Sequence, residues 1–488
     1  MSRNISKLIT NYVLFGLIFA SALSSISAQT FSNEKIWGGE FRSEGVWGVR
    51  SMANGSHYTV SDYDQDKGST IEKYSYKSGK KVSTIVTALD AFEDARESFS
   101  SYTFSTDERY ILMTTNTEPL YRHSFYADFY IYDTESKELA TPLTDFSKGK
   151  QRLATFSPSA DKVAFVRNNN VFIANLKDGT EVQVTDDGLA NSIINGATDW
   201  VYEEEFGDDN GMKWSSDGTK LAYYRFDETA VRQMHMPVYG GLYPEPYIFK
   251  YPKAGEVNSN VQVYIHDVQT GINHGVAVPK SAHYIPRFFW TNDAETLCIL
   301  TMNRHQNDLR FLLTEGEFPN NRIGTKEIFK ETAYTYIDIH DNLIFLNDGH
   351  SFLWTSERDG FNHIYKFDYD GTHTQLTEGE WDVVDFFGYD EAQDMIYFSS
   401  SMNGPTQQHL HSVNGKGIVT TLDNTSGHHS ADFSANFAYR IHNYSNANTP
   451  PVYTLRNRKG KTVRTLKDNS SLRETLSEYD YSEKTFFT

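Results

Sequence analysis

The chain has 488 residues, a formal net charge of −19 and an aromatic content of 14%. Its negative field repels phosphate backbones, which argues against nucleic acid and anionic membrane surfaces as partners. A hydrophobic content of 39% is enough for a packed core and argues against a disordered chain, and the many Tyr and Phe residues favour strands over helices.

Residues 1–28 have the pattern of a secretory signal peptide. Arg3 and Lys7 precede an apolar run at residues 12–22, and small residues then lead to Ala28 as a cleavage point. The run is shorter than the roughly 20 residues that a membrane span needs. The pattern therefore predicts an exported protein, periplasmic or secreted, which stays anchored in the membrane only if the signal is not cleaved.

A pattern of strands and turns recurs through residues 45–470. In each copy an aromatic residue, a small hydroxyl residue and a turn lead into a strand of alternating hydrophobicity. Clear copies begin at Phe104, Phe156, Trp214, Trp290 and Phe433. Recurrence at intervals of roughly 40–75 residues is typical of propeller blades, which bury their faces by packing around a ring. The sequence therefore predicts an all-β fold, an eight-bladed β-propeller of four-stranded antiparallel blades, with units beginning near residues 45, 100, 152, 210, 284, 340, 384 and 429.

Helical signals are few and short. Residues 87–97 predict one helix with Thr87 as its N-cap, and residues 470–476 predict another with a serine cap at Ser470. The alternative all-β arrangement, a pair of β-sandwiches, would show a change of composition between the two halves. No such change is present in the sequence, so the propeller is favoured.

Searches for catalytic and metal-binding motifs find none. The nearest string to a Gly-x-Ser-x-Gly elbow, Gly349–Leu353, lacks the second glycine and predicts a hairpin turn. Cys298 is the sole cysteine and lies in an apolar run, which indicates a core residue and not a nucleophile. The pair His428 and His429 has no third ligand at motif spacing, so the sequence predicts no metal site and no cofactor.

Three consecutive carboxylates lie in an aromatic stretch outside the blade pattern; they are Glu203, Glu204 and Glu205, between Trp200 and Phe206. A solvated run of charge is the ordinary interpretation of such residues. Here, however, the aromatic neighbours should shield part of the run from water, and partly desolvated carboxylates repel unless a cation is present. A peptide α-ammonium offers three donors that two carboxylates can accept. The stretch therefore suits the amino terminus of a peptide.

The segment Asp199–Phe206, with residues 195–198 before it, resembles the glutamate motif of the dipeptidyl peptidase IV family. In that family the second and third glutamates of the triplet hold the substrate amino terminus. Carried over by position, the resemblance implies Glu204 and Glu205 as substrate-binding residues and assigns no substrate contact to Glu203.

A second match to the family is Tyr121–Phe125. The family's arginine before His-Ser contacts the substrate carbonyl and the glutamates, which implies that Arg122 binds substrate and supplies a cation for the carboxylates. Similarity continues at residues 251–258, 451–455 and 466–472, so that the resemblance covers roughly residues 30–488.

In this family an α/β-hydrolase domain follows the propeller and carries the Ser, Asp and His of the catalytic triad. We expect this chain to lack that domain, so no residue of it is predicted as nucleophile, acid or base. The predicted organisation is a signal peptide at 1–28, an N-terminal segment at 29–44, the propeller at 45–470 and the start of a linker to the hydrolase domain at 471–488.

The resemblance implies a function as the substrate-selecting propeller of an exported serine exopeptidase that binds peptide amino termini. The complete enzyme would release dipeptides with proline or alanine in the second position, and could form a homodimer. Alone, this chain should hydrolyse nothing. Two alternatives stay open, namely a stand-alone propeller that binds peptides or proteins without catalysis and a relative that releases tripeptides.

Overall fold

The computed structural model describes residues 29–94, 96–316 and 322–487. The predicted signal peptide, residues 1–28, lies outside this part of the chain. The described chain is mainly β-strand, and most strands form antiparallel sheets of four in which the spatial order follows the chain order. None of the helices in these ranges is long and apolar enough to cross a membrane.

The first sheets of the structure cover residues 50–183. Short turns join antiparallel neighbours, and central strands pair over their whole length, as Lys162–Arg167 does with Asn170–Asn175. In groups of four, the strands are β1 (Arg50–Ser51), β2 (His57–Asp64), β3 (Gly68–Ser75), β4 (Lys81–Thr87); β5 (Ser101–Phe104), β6 (Tyr110–Pro119), β7 (Phe125–Asp133), β8 (Thr141–Pro142); β9 (Arg152–Phe156), β10 (Lys162–Arg167), β11 (Asn170–Asn175) and β12 (Glu181–Gln183).

The middle of the chain forms a larger, composite sheet. Its strands are β13 (Ile193–Asn195), β14 (Met212–Trp214), β15 (Lys220–Asp227), β18 (Asn260–Asp267), β19 (Asn273–Val276), β20 (Tyr284–Trp290), β21 (Leu297–Met302), β22 (Asp308–Glu315) and β23 (Arg322–Thr332), and the separate hairpin β16 (Gln233–Val238) and β17 (Glu245–Lys250) is inserted after β15. The antiparallel runs ending at β19 and β23 are joined by a parallel pairing of Gly275 and Val276 with Arg322 and Ile323.

The last sheets return to the pattern of four antiparallel strands. They comprise β24 (Ile344–Phe345), β25 (Ser351–Ser356), β26 (His363–Asp368), β27 (His373–Gln375); β28 (Val383–Asp390), β29 (Met395–Ser400), β30 (His409–Asn414), β31 (Val419–Thr421); β32 (His428–Phe433), β33 (Tyr439–Asn446), β34 (Thr449–Asn457) and β35 (Thr462–Lys467). The predicted hairpin turn at Gly349 is confirmed, because this residue lies between β24 and β25.

Successive sheets from β1–β4 to β28–β31 pack face to face through apolar side chains, and Tyr397 of β29 contacts Phe433 of β32 with ring centroids 4.9 Å apart. The first sheet also packs against the last, since Tyr58 and Tyr76 share a core cluster with Ile441 and Leu455. The rings of Tyr76 and Tyr439 stack with centroids 5.7 Å apart. This cyclic order of contacts, with each sheet covered by its neighbours, is that of a β-propeller-like all-β fold.

The described helices are short and lie between or outside the sheets. They are α1 (Asn33–Gly38), α2 (Ala88–Phe92), α3 (Trp200–Phe206) and α4 (Ser470–Ser477), with 3-10 turns at Phe146–Lys148 and Glu391–Gln393. The predicted N-cap Thr87 is confirmed, since its hydroxyl accepts a hydrogen bond from the Asp90 amide. The predicted serine cap of α4 is wrong, because Asn469 holds the N-cap position and Ser470 is already helical.

Cys298 lies in β21 with no exposed surface and belongs to the core between two sheets. Burial raises the pKa of its thiol far above the usual range. Because only a thiolate is an effective nucleophile, the prediction of a core residue is confirmed.

Candidate functional site

The three glutamates lie on helix α3 (Trp200–Phe206), which was not among the helices predicted from the sequence. The helix starts because Asp199 caps it, its carboxylate accepting a hydrogen bond from the Tyr202 amide at 3.0 Å. A second hydrogen bond, from the Ser259 hydroxyl at 2.6 Å, fixes the cap. Burial raises the pKa of Asp199, although both hydrogen bonds oppose the rise. The helix ends at Phe206, because Gly207 takes a left-handed conformation with φ of 63°.

Successive residues of an α-helix point about 100° apart, so the three carboxylates occupy different surroundings. Glu203 is fully buried, Glu204 is partly buried and Glu205 is exposed. Part of the run is thus sheltered from water, its first member fully and its second partly. The two predicted substrate ligands lie on the side of the helix that water reaches.

The structure brings Arg122 and Glu204 together although they are 82 residues apart in the chain. Arg122 Nε donates to Glu204 Oε2 at 2.7 Å, with 71% of the arginine side chain exposed and 14% of the glutamate side chain. This hydrogen bond and the charge of Glu204 raise the pKa of Arg122. An exposed guanidinium therefore lies beside a mostly buried carboxylate at the protein surface.

Glu203 has a role that the sequence did not reveal. Its Oε1 accepts hydrogen bonds from the backbone amides of His123 at 2.7 Å and Ser124 at 2.9 Å. These are the residues immediately after Arg122, so Glu203 fastens the segment that carries the arginine. Nothing in the local pattern could have indicated this contact, because it joins two segments about 80 residues apart.

More buried charge lies behind Glu203. Burial raises the pKa of Asp209, the negative charge of Glu203 adds to the rise, and Arg152 opposes it. Arg152 is only 4% exposed, and within the described ranges its Nε and Nη2 have no hydrogen-bond partner, nor does Glu203 Oε2. Acidic groups thus outnumber cations beneath the helix.

A cavity of about 490 Å³ lies on the Glu205 side of the helix. Its lining includes Tyr334, Tyr336 and Arg358. Burial raises the pKa of Tyr336, with further contributions from Asp338 and Glu205, which places the third glutamate near the cavity wall.

Arg287 connects the helix to this wall. Its Nη2 donates to the carbonyl of Phe206 at 2.7 Å and its Nε donates to Asp341 Oδ1 at 2.8 Å. The arginine side chain is 5% exposed, so these contacts are sheltered from water. Arg287 therefore ties the end of helix α3 to Asp341, whose neighbours His340 and Asn342 line the cavity.

Comparison with known proteins matches residues 105–451 to the family described as the dipeptidyl peptidase IV (DPP IV) N-terminal region. Dipeptidyl peptidase 4 of Trichophyton equinum is 30% identical over 419 residues, which are 82% of this chain and 53% of that protein. Dipeptidyl peptidase 4 of Arthroderma otae is 30% identical over 424 residues, with the same coverage of 82% and 53%. The chain thus spans about half the length of these relatives.

The crystal structure of Porphyromonas gingivalis dipeptidyl peptidase 4 has the same fold, with a TM-score of 0.87 and 39% sequence identity. The match covers 94% of this chain and 65% of that one. Nearly all of the present chain is therefore accounted for by part of a longer protein.

Proposed function

The chain belongs to the dipeptidyl peptidase IV family, and we propose that it is the substrate-selecting region of an exported serine exopeptidase. The complete enzyme would release dipeptides with proline or alanine in the second position from peptide amino termini. The acyl-transfer chemistry would come from an α/β-hydrolase domain that follows the propeller. Such a further domain is consistent with the chain spanning about half the length of its relatives.

We further propose that the sheets form eight blades. The support is the weak junction inside the composite sheet, where two parallel residue pairs join β19 to β23. On either side of it, β14, β15, β18 and β19 form one antiparallel run, and β20 to β23 form another. Divided there, the composite sheet gives two further units of four principal strands, the first of which carries β13 as an extra short strand paired with β15.

The observation that carries the proposed binding role is the contact of Arg122 with Glu204 beside an exposed Glu205. In our proposal a peptide α-ammonium would donate to both carboxylates, and Arg122 would contact the first substrate carbonyl. Charge-assisted hydrogen bonds of this kind are the strong ones. An amino terminus held at a fixed point limits how many residues can extend toward a nucleophile, which is the physical basis for release of short peptides of defined length.

The cavity on the Glu205 side would receive the side chain of the first substrate residue, since that side chain leaves the same carbon that bears the ammonium. Tyr336 and Arg358 line the cavity and offer a ring face and a cation. This mixed lining suits varied side chains at the first position and leaves selectivity for proline or alanine to the rest of the enzyme.

Binding of peptides to the purified chain tests the amino-terminal role. A peptide with a free amino terminus should bind at least about tenfold more tightly than its N-acetylated form, because acetylation removes the charge and two donors. Glu204→Gln and Glu205→Gln should abolish this preference, and Glu138→Gln, at an exposed position in the β7–β8 loop, should preserve it. Equal affinity of the wild-type chain for the two peptides would refute the role.

The catalytic part of the proposal needs a separate test. The purified chain should not cleave a Gly-Pro chromogenic substrate, and the reading frame after codon 488 should stay open and encode a Gly-x-Ser-x-Gly elbow. A stop codon there would instead support a stand-alone binding propeller. Product analysis on the completed enzyme separates dipeptide from tripeptide release.

We propose export on the basis of the pattern in residues 1–28. The mature protein isolated from the producing cells should begin at Gln29. An intact amino terminus would indicate a retained anchor.

For the completed enzyme we propose a homodimer. Support comes from the tip of the β16–β17 hairpin, where Tyr239, Leu242 and Tyr243 are 80%, 92% and 80% exposed. Apolar groups concentrated on such a projection often mark an interaction site. Light scattering should give a dimer mass that Leu242→Glu lowers to that of a monomer.

A further inference from the structure

A group of metal-ligand side chains lies far from α3 in the chain, between the sheet β28–β31 and the sheet β32–β35. Backbone pairing brings the group together. In the antiparallel pair β30–β31, His411 is opposite Thr421, and the amide of Leu422 donates to the carbonyl of Leu410 at 2.8 Å. Continuing this register by two residues places His409 opposite Asp423.

The third member comes from the neighbouring sheet. Gln408 forms a parallel bridge with His428, and the amide of His429 donates to the carbonyl of Gln408 at 2.9 Å. This bridge places the side chain of His429 against His409, with ring centroids 5.1 Å apart. The spacing is His, then Asp after 14 residues, then His after 6, which no short motif would reveal.

The distances within the group suit coordination. His409 Nδ1 and His429 Nε2 each lie 3.0 Å from Asp423 Oδ1, and one ligand atom from each residue lies within 4.8 Å of the others. Tetrahedral ligands at zinc–ligand distances near 2.1 Å are about 3.4 Å apart, so an ion fits with small shifts. The carbonyl oxygen of Thr425, 2.7 Å from His429 Nε2, offers a fourth ligand atom.

The polar atoms of the group are buried and incompletely paired. The side chains of His409, Asp423 and His429 are 4%, 3% and 2% exposed. Asp423 Oδ2 accepts a hydrogen bond from the Leu410 amide at 3.0 Å. Within the described part of the chain, however, Asp423 Oδ1 has no partner in hydrogen-bond geometry. A buried carboxylate oxygen facing two imidazole nitrogens is an unsatisfied acceptor, which an ion would satisfy.

A neighbouring imidazole fixes the orientation of His429. His429 Nδ1 lies 2.8 Å from His442 Nε2, so the nitrogen remote from Asp423 is held by a hydrogen bond. Metal-binding histidines usually have such a partner at the second nitrogen, because it sets the tautomer and presents the other lone pair to the ion. The exposed loop at residues 424–426 covers the group and gives an ion a short path from solvent.

The donor set and the nearby charges together favour one class of ion. Arg440 and Arg456 lie close enough to interact electrostatically with Asp423. Their positive charges disfavour binding of a cation that is held only by electrostatic attraction to the carboxylate. Calcium and magnesium prefer sites built from several oxygens, whereas imidazole nitrogens suit zinc and its neighbours. Two imidazoles and one carboxylate therefore select a transition metal held by direct coordination.

We propose that His409, Asp423 and His429 form a structural binding site for a divalent transition-metal ion, zinc in particular. Ligands from both sheets would be joined through the ion, which would tie these neighbouring sheets together beside the closure of the ring. Binding would displace any proton from His409 Nδ1 and His429 Nε2, so that neutral imidazoles coordinate.

Zinc titration of the full chain after chelator treatment and buffer exchange tests this site. Competition with a chromophoric chelator should show one tightly bound zinc per chain. His409→Gln and Asp423→Asn should each weaken binding by at least about 100-fold, because each removes one of three side-chain ligands. His428→Gln is the matched control: this histidine is adjacent to His429 but exposed, and its replacement should change affinity by less than about twofold.

Two further measurements keep the test decisive if a variant folds poorly. Cobalt added to the metal-free wild-type chain should give the visible absorption of a four-coordinate site, and stoichiometric zinc should raise the melting temperature. The proposal is overturned if the wild-type chain gives neither signal, which would identify a metal-free hydrogen-bonded cluster. Loss of zinc binding in His428→Gln would also overturn it, because the ion would then be at the surface.

Discussion

Buried carboxylates in two regions of this chain have pKa values shifted in opposite directions. Around helix α3, burial raises the pKa of Asp199, Asp209 and Glu228, that of Glu228 to about 7. Burial also opposes ionisation of Asp423, but its interaction with the nearby His429 and the hydrogen bond from the Leu410 amide outweigh it, and its pKa is lowered. The partners differ, since other acids surround α3 and imidazoles face Asp423.

The contrast indicates two uses of negative charge. The helix region carries more acid than its neighbouring cations balance, and part of it is open to water, so a cationic ligand can arrive, bind and leave. The cluster between the last sheets is enclosed and its charges face one another, which suits a permanent structural tie. Three experiments on the helix region test this distinction, beginning with the largest expected effect.

Glu203→Ala should destabilise the fold by about 3 kcal/mol, because it leaves the part-buried amide of His123 and the buried amide of Ser124 without their charged acceptor. Glu205→Ala, on the exposed side of the same helix, should change the free energy of unfolding by no more than about 0.5 kcal/mol. Urea unfolding of the two variants measures the difference. If both unfold at the wild-type midpoint, Glu203 does not fasten the Arg122 segment.

Glu228→Gln should change how stability depends on pH. The folded-state pKa of about 7 lies above the ordinary value of 4.5, so the folded state holds this proton more tightly than the unfolded state. Its contribution is present in full below pH 4.5 and is lost as the pH rises through about 7. The variant should lack this decline, worth about 3 kcal/mol between roughly pH 5 and 8.

Free energies of unfolding measured across that range provide the check for Glu228. Glu138→Gln, at an exposed loop position, should keep the wild-type slope. An unchanged slope in Glu228→Gln would mean that the pKa of Glu228 is not raised in the folded protein. The proposed difference in charge balance between the α3 region and Asp423 would then be wrong.

Arg122→Ala should have the smallest effect on stability but a clear effect on ligand binding. An ion pair whose arginine is 71% exposed to water contributes little to folding, whereas loss of a contact to a bound peptide should weaken peptide binding about tenfold. Arg109 pairs with Asp133 at 2.7 Å in the same sheet, so Arg109→Ala is the matched control. Equal peptide affinities of the two variants would remove Arg122 from the binding site.

Much of the strand architecture followed from the sequence because its signals are local. Aromatic residues, turns and alternating hydrophobicity repeat within a few residues, and turns such as the one at Gly349 lie where the sequence predicted them. Helix α3 was missed because its seven residues make only about two turns, which is too short for a clear helical periodicity. Its capping residue Asp199 was the available signal.

The site could be predicted only in part. The resemblance pointed to Arg122, Glu204 and Glu205, and the structure brings the first two into contact, while their role toward substrate stays a prediction. The part played by Glu203 was not foreseen, because it depends on amides about 80 residues away. Exposure distinguishes the members of the triplet, and three identical neighbours in a sequence carry no information about exposure.

By itself, then, the sequence determined the all-β class, the recurrence of its strands and the acidic segment that marks the family. These properties depend on residue type and on the order of neighbouring residues, both of which are visible in the sequence without the fold. The tertiary structure alone decided that Glu203 is buried against the Arg122 segment and that His409, Asp423 and His429 meet. Both arrangements depend on contacts between segments distant in the chain, which neither segment specifies by itself. For the histidines, a shift of one residue in the register of β30 or β32 would turn His409 or His429 to the opposite face of its sheet.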